Sequence, residues 1–137
     1  MKLFLKPVEF KRDCFDSLLE FLEEHASTQV FSVSCYKGKL HLQNSVSQAL
    51  KTFSLGEAIA SRPQLEVLVR LSAERQISKA LARCKPGKRA VFVSWSANAD
   101  KDWRDFKKHC DFKEIKLKEP SKEKQLVAIE ETATFWL

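Results

Sequence analysis

The order of apolar and polar residues predicts an α/β fold, a mixed β-sheet packed by several helices within one domain spanning residues 1–137. Three observations predict it. Arg89–Trp95 (RAVFVSW) is a short, nearly unbroken apolar run, the signature of a buried strand. Phe15, Leu18, Leu19 and Leu22 recur at helical spacing, with Glu20, Glu23 and Glu24 between or after them. Strand-like and helix-like segments then alternate along the whole chain.

Lys2–Phe10 alternates apolar and polar residues and reads as a strand; Pro7, which has no N–H to give a ladder, predicts an edge position or an early end. Asp13 caps the first helix, which runs to His25. Gln29–Tyr36 is rich in β-formers, and Lys37-Gly38 predicts a tight turn into a return strand, Lys39–Leu42. Asn44 then starts a helix to Phe53 that points Val46, Ala49, Leu50 and Phe53 inward.

Ser61-Arg62-Pro63-Gln64 is a helix start, with Pro in the first turn and Ser61 and Gln64 at capping-box spacing. Leu65, Leu68, Val69 and Ser72 form one face; Ile77, Ala80, Leu81 and Cys84 continue the pattern until Pro86-Gly87 stops it. Asp100–His109 is helical with Trp103 and Phe106 inward, and Phe112–Leu117 is a half-exposed strand. Pro120-Ser121 opens a last helix carrying Leu126, Val127, Ile129 and Ala133, and the apolar tail Thr134–Leu137 is expected to dock.

Composition narrows the function. The chain has 137 residues, 24 Lys+Arg against 18 Asp+Glu, and a formal charge of +6, which permits an anionic partner without requiring one. No segment approaches the ~18–20 apolar residues that span a bilayer, and the N-terminal apolar run is too short for a signal peptide, so no membrane partner and a cytoplasmic location are expected. Cys14, Cys35, Cys84 and Cys110 show no paired spacing and are expected as reduced, mostly buried thiols.

Chemistry is hard to find. No C-x-x-C, H-E-x-x-H, phosphate-binding glycine loop or G-x-S-x-G elbow occurs, so neither metal nor cofactor is expected, and the chain reads as no enzyme. His25, His41 and His109 are scattered and read as surface or hydrogen-bonded residues. The carboxylate pairs Glu23-Glu24 and Glu130-Glu131 read as solvated helix faces.

The most suggestive stretch is Gln64–Cys84. Arg75, Lys79 and Arg83 recur every four residues; on a helix they form one stripe opposite Ile77, Ala80, Leu81 and Cys84, with no carboxylate at i+4 to neutralise them. Such a stripe suits a phosphate backbone and equally suits a solvated face. Arg70 is placed on the polar side of the preceding helix, and Gln76 either bonds a base edge or satisfies backbone at the helix junction. Tyr36, Phe53, Trp95 and Trp103 are the aromatic candidates for stacking on unpaired bases, each with core packing as its competing role.

Leu65–Leu81 (LEVLVRLSAERQISKAL) resembles the signature of the KEOPS kinase-binding subunit family: an L-E-x-L helix followed by S-G-x-R-Q-I, a small residue and a leucine or isoleucine. Ser72, Arg75, Gln76 and Ile77 match, while Ala73 stands where the family has glycine, a change expected to leave the two helices more continuous. The resemblance implies a non-catalytic subunit of the complex that installs threonylcarbamoyl on tRNA adenosine. Such a subunit docks directly on the small kinase subunit, reaches the threonylcarbamoyl-transferase subunit only through it, and in archaeal-type members holds the unpaired 3′ end of tRNA. A free-standing RNA-binding domain without a kinase partner is the alternative.

Overall fold

The computed structural model describes residues 2–135, with the side chains of residues 2–133, and among these it holds four β-strands and six α-helices. The elements follow in the order β1 (Phe4–Phe10), α1 (Phe15–Glu24), β2 (Thr28–Ser32), α2 (Lys39–Ser54), α3 (Pro63–Ser72) and α4 (Ile77–Cys84). They continue with β3 (Arg89–Ser94), α5 (Ala99–His109), β4 (Phe112–Glu114) and α6 (Lys122–Phe135). The α/β class expected from the alternation is the class observed. The contacts divide the chain into two units: residues up to Val33 with Pro86–Leu117, and Ser34–Lys85 with the residues from Lys118 onward.

The first unit is a sheet with strand order β2-β3-β1-β4. Every pairing is antiparallel, where a mixed sheet was expected. The two one-helix connections, β1–α1–β2 and β3–α5–β4, each skip a strand: β3 lies between β1 and β2, and β1 lies between β3 and β4, so no strands become parallel neighbours. All of Ala90–Ser94 is buried, as a central strand demands. The strand β1 is not an edge: β3 runs beside it from Phe4 to Glu9. The strand β4 pairs only with Val8–Phe10, so Pro7 sits where that ladder stops, and Ile115 donates its N–H to the Pro7 carbonyl at 3.1 Å. Beyond Glu114 the segment expected as strand to Leu117 leaves the ladder.

Helices α1 and α5 pack together with Val8, Phe10, Val30, Ala90 and Phe92 in one aromatic-rich core. Phe92 stacks on Phe106 with ring centres 5.1 Å apart, and Trp103 lies 5.1 Å from Phe92. Trp103, a stacking candidate, is therefore core. In α1 the inward residues are Leu18 and Phe21, while Leu19 is exposed. The cap residue of α1 is Cys14 and not Asp13; Asp13, one residue earlier, accepts a hydrogen bond from the Phe15 N–H at 3.0 Å.

The second unit is helical. The hairpin expected at Lys37-Gly38 is absent: β2 passes into a 3-10 turn at Val33–Cys35, and Lys39–Leu42 is the first turn of α2, not a return strand. Asn44 lies inside that helix. Gly38 is its cap residue, at φ +107°, and the first amides of α2 are satisfied from far along the chain. The Glu119 carboxylate accepts from Lys39 N–H at 3.0 Å and from the Tyr36 hydroxyl, and Gln125 Oε1 accepts from Leu40 N–H at 2.8 Å. A Cβ at position 38 would run into the Gln125 side chain.

The helix α6 begins at Ser121, whose hydroxyl accepts from the Lys124 N–H at 3.2 Å. It buries Gln125, Ala128 and Thr132 and leaves Leu126 and Val127 half exposed. The side chains of the tail Thr134–Leu137, expected to dock, lie outside those described.

The four cysteines are not all thiols. Cys35 and Cys84, with Cα atoms 5.8 Å apart, form a disulfide within the helical unit, while Cys14 and Cys110 are free. The two cysteines are 49 residues apart in sequence, so no local spacing announces the bond.

Candidate nucleic-acid interface

The helix α3 is the centre of the helical unit, packed by α2 and α4, and is buried nearly all round from Gln64 to Ser72. Its cap is the extended Arg62, followed by Pro63 in the first turn; Ser61 is exposed and Gln64 is buried, so the expected capping box does not form. Glu66, 0% exposed, takes the N–H groups of Ile59 and Ala60 on one carboxylate oxygen, both at 3.0 Å, and stands 3.8 Å from the Arg70 guanidinium with the other.

Arg70 is itself only 9% exposed and donates to the Thr52 hydroxyl at 2.8 Å. Burial pushes its guanidinium below its ordinary range, with Glu66 acting against that shift. The expectation that Arg70 lies on a polar face is overturned. α3 has no solvent face at that position: Arg70 is buried and bonded to Thr52 of α2.

At the end of α3, Ala73 adopts the left-handed conformation, φ 54° and ψ 38°. The Ala73 N–H bonds Arg70 O at 3.3 Å and the Glu74 N–H bonds Val69 O at 3.2 Å, the two bonds of a Schellman stop. The helices are therefore not continuous, contrary to the expectation drawn from the missing glycine: alanine takes the conformation that glycine adopts without steric cost. Ser72 is buried, its hydroxyl donating to Leu68 O at 2.7 Å, so this motif position is structural.

The break changes the basic stripe. Arg75 and Gln76 lie before α4, not within it, and both are exposed. Gln76 is the cap residue of α4; its carbonyl accepts from the Ala80 N–H at 3.0 Å, and its side chain makes no cap bond. Lys79 is exposed in the first turn. The first amides of a helix have no acceptor within it, so Arg75, Gln76 and Lys79 surround a helix N-terminus that favours negative charge. Ile77 is half-buried, and Ala80 and Cys84 pack inward.

Arg83 behaves differently. Its guanidinium donates to Ser72 O at 3.0 Å and pairs with Glu74 at 3.2 Å. Sequence spacing had shown no carboxylate at i+4, and it missed Glu74 because the partner is reached across the turn. Arg75, Lys79 and Arg83 are all exposed, and Arg83 also holds α4 against the end of α3. Of the aromatic candidates in the helical unit, Tyr36 is half-buried and anchored to Glu119, and Phe53 is half-buried; Trp95, in the sheet unit, is also half-buried.

Among the described residues no group of three or more His, Cys, Asp or Glu side chains gathers to hold a metal ion. Among the described residues no helix is long and apolar enough to cross a membrane. The three histidines all take part in hydrogen bonds. The fold and site define an α/β protein with a basic, helix-terminated turn. No protein-family model matches the sequence, and no curated protein is significantly similar to it.

Proposed function

We propose that this chain is a non-catalytic subunit of a KEOPS-type tRNA-modifying assembly, working in the cytoplasm, that binds the kinase subunit directly and the unpaired 3′ end of tRNA through the Arg75–Lys79 corner. The transferase subunit belongs to the same assembly without touching this chain. The observation that carries the reading is the left-handed Ala73: the turn falls at the position where the family motif has glycine, and it sets Arg75 and Gln76 at the N-terminus of α4. A helix N-terminus flanked by Arg75 and Lys79 offers donors and positive charge to phosphates, and Gln76 offers an amide to a base edge.

Binding is measured with intact tRNA and with tRNA trimmed of its unpaired 3′ nucleotides. Intact tRNA binds more tightly, and log K falls with log salt at about −0.7 per neutralised phosphate on a single strand. Arg75→Ala and Lys79→Ala each weaken binding and flatten that slope. Equal affinity for both tRNAs sinks the 3′-end reading. Size exclusion of the chain mixed with the kinase subunit gives one co-eluting peak; RNA binding with two separate peaks leaves a free-standing RNA-binding domain.

A further inference from the structure

Each unit carries one pair of cysteines. In the helical unit the pair is joined; in the sheet unit Cys14 and Cys110 are free. Cys14 is the residue on which α1 starts, its carbonyl accepting from the Leu18 N–H at 2.8 Å, and Cys110 is the residue on which α5 ends. The Cys110 thiol points at Cys14, with its sulfur 4.0 Å from the Cys14 carbonyl oxygen, and the two thiols also contact each other side chain to side chain. Both line an open cleft of about 460 Å³ whose other groups include Arg12, Lys107, Lys108 and Asp111.

We propose that Cys14 and Cys110 form a redox-active dithiol that a low-molecular-weight disulfide entering this cleft oxidises to a second intrachain disulfide. Accessibility assigns the order. Cys14 is half-buried at the cleft, whereas Cys110 is 6% exposed. Cys14 gives up its proton and attacks one sulfur of the small disulfide; the S–S bond breaks, a mixed disulfide forms on Cys14, and one small thiolate leaves and takes a proton. Cys110 then loses its proton and attacks the Cys14 sulfur, expelling the second small thiol. Two protein thiols are oxidised by two electrons, and one small disulfide is reduced to two thiols. The new bond would tie the start of α1 to the end of α5 across 96 residues of chain.

Burial pushes both thiols up, so little thiolate is present at neutral pH. Oxidation is accordingly slow at pH 7 and about tenfold faster for each pH unit above it, until Cys14 is fully ionised. Arg12, Lys107 and Lys108 against Asp13 and Asp111 leave the cleft net positive, which makes the anionic glutathione disulfide the suitable probe.

The folded chain is incubated with glutathione disulfide, quenched in acid, denatured, alkylated and weighed by mass spectrometry. Before treatment two cysteines take alkyl groups; afterwards none do, and digestion yields a Cys14–Cys110 cross-linked peptide. Cys110→Ala stops at one glutathione on Cys14, because the resolving thiol is gone. Cys14→Ala takes up no glutathione, because Cys110 is buried. A wild-type chain that keeps its glutathione adduct, or that retains both thiols, overturns the pairing. Adduct formation on Cys110 in Cys14→Ala overturns the assigned order.

Discussion

Arg83 donates its guanidinium to the carbonyl of Ser72, eleven residues earlier, and the same side chain pairs with Glu74 in the turn between them. One cation thereby closes a loop over the end of α3 and fixes the direction in which α4 leaves it. Arg83→Ala removes a charge-assisted bond that is 59% exposed, so the loss is about 1 kcal/mol, or roughly 3–5 °C in Tm. Thermal melts separate it from Lys79→Ala, which leaves Tm within about 2 °C because surface substitutions change stability by ~0.5 kcal/mol or less.

Ala73→Gly stabilises the chain by about 0.5–1 kcal/mol, because glycine removes the steric cost of φ 54° while adding freedom to the unfolded chain. Ala73→Val acts in the other direction, since a β-branched residue is strained there. Urea midpoints of the two variants should bracket wild type. If both lie below it, the turn is held by something other than the backbone at residue 73.

Glu66→Ala is the most damaging single change in the helical unit. It strands the N–H groups of Ile59 and Ala60 and leaves the buried Arg70 without its carboxylate. The expected cost is about 3–5 kcal/mol by equilibrium denaturation. Glu66→Gln keeps an acceptor for the two amides and costs less.

His41 makes the chain acid-sensitive. It is 0% exposed, its Nε2 donates to the Thr132 hydroxyl at 3.3 Å, and its Nδ1 has no partner. Burial, helped by Lys37, pulls its pKa down to about 4 from 6.5. A depressed pKa means that the unfolded chain takes the proton first. Stability present above pH 6.5 is therefore lost as pH falls toward 4, roughly 3 kcal/mol in all. His41→Leu flattens that limb of a stability–pH curve; an unchanged limb assigns the sensitivity elsewhere.

His25 acts with the opposite sign. Burial works against its charge, but its two ring nitrogens face acceptors, the Phe21 carbonyl at 2.8 Å and the Asp105 carboxylate at 3.0 Å, which only the doubly protonated ring can satisfy together. Its pKa is raised, so its contribution is complete below about 6.5 and fades as pH climbs through the raised value. Asp105→Asn lowers the His25 pKa in an NMR titration; a rise refutes the pairing.

The sequence made local patterns legible and left long-range partners hidden. Arg89–Ser94, Ala99–His109 and the Ser121 start of α6 were readable because strand burial, helical period and capping act within a few residues. The Lys39–Leu42 segment was misread because its helix is started by Glu119 and Gln125, about 80 residues away. Arg70 carries a charge that periodicity assigns to solvent, and only Glu66 and Thr52 explain why it sits inside. In the candidate interface, Arg75, Gln76 and Lys79 were legible as residues, but their arrangement around a helix terminus depends on one backbone angle at Ala73.

The capping of α2 by Gln125 also sets a clock on synthesis. Leu40 and its cap are 85 residues apart, and ribosomes add about 5–20 residues per second, so the amide waits roughly 4–17 s for its partner to be made. During that interval the Lys39 and Leu40 amides have only water in place of Glu119 and Gln125, and the nascent segment is open to chaperones and proteases. A slower stretch of translation between the two positions lengthens that exposure, so codon choice there bears on yield without altering a single residue.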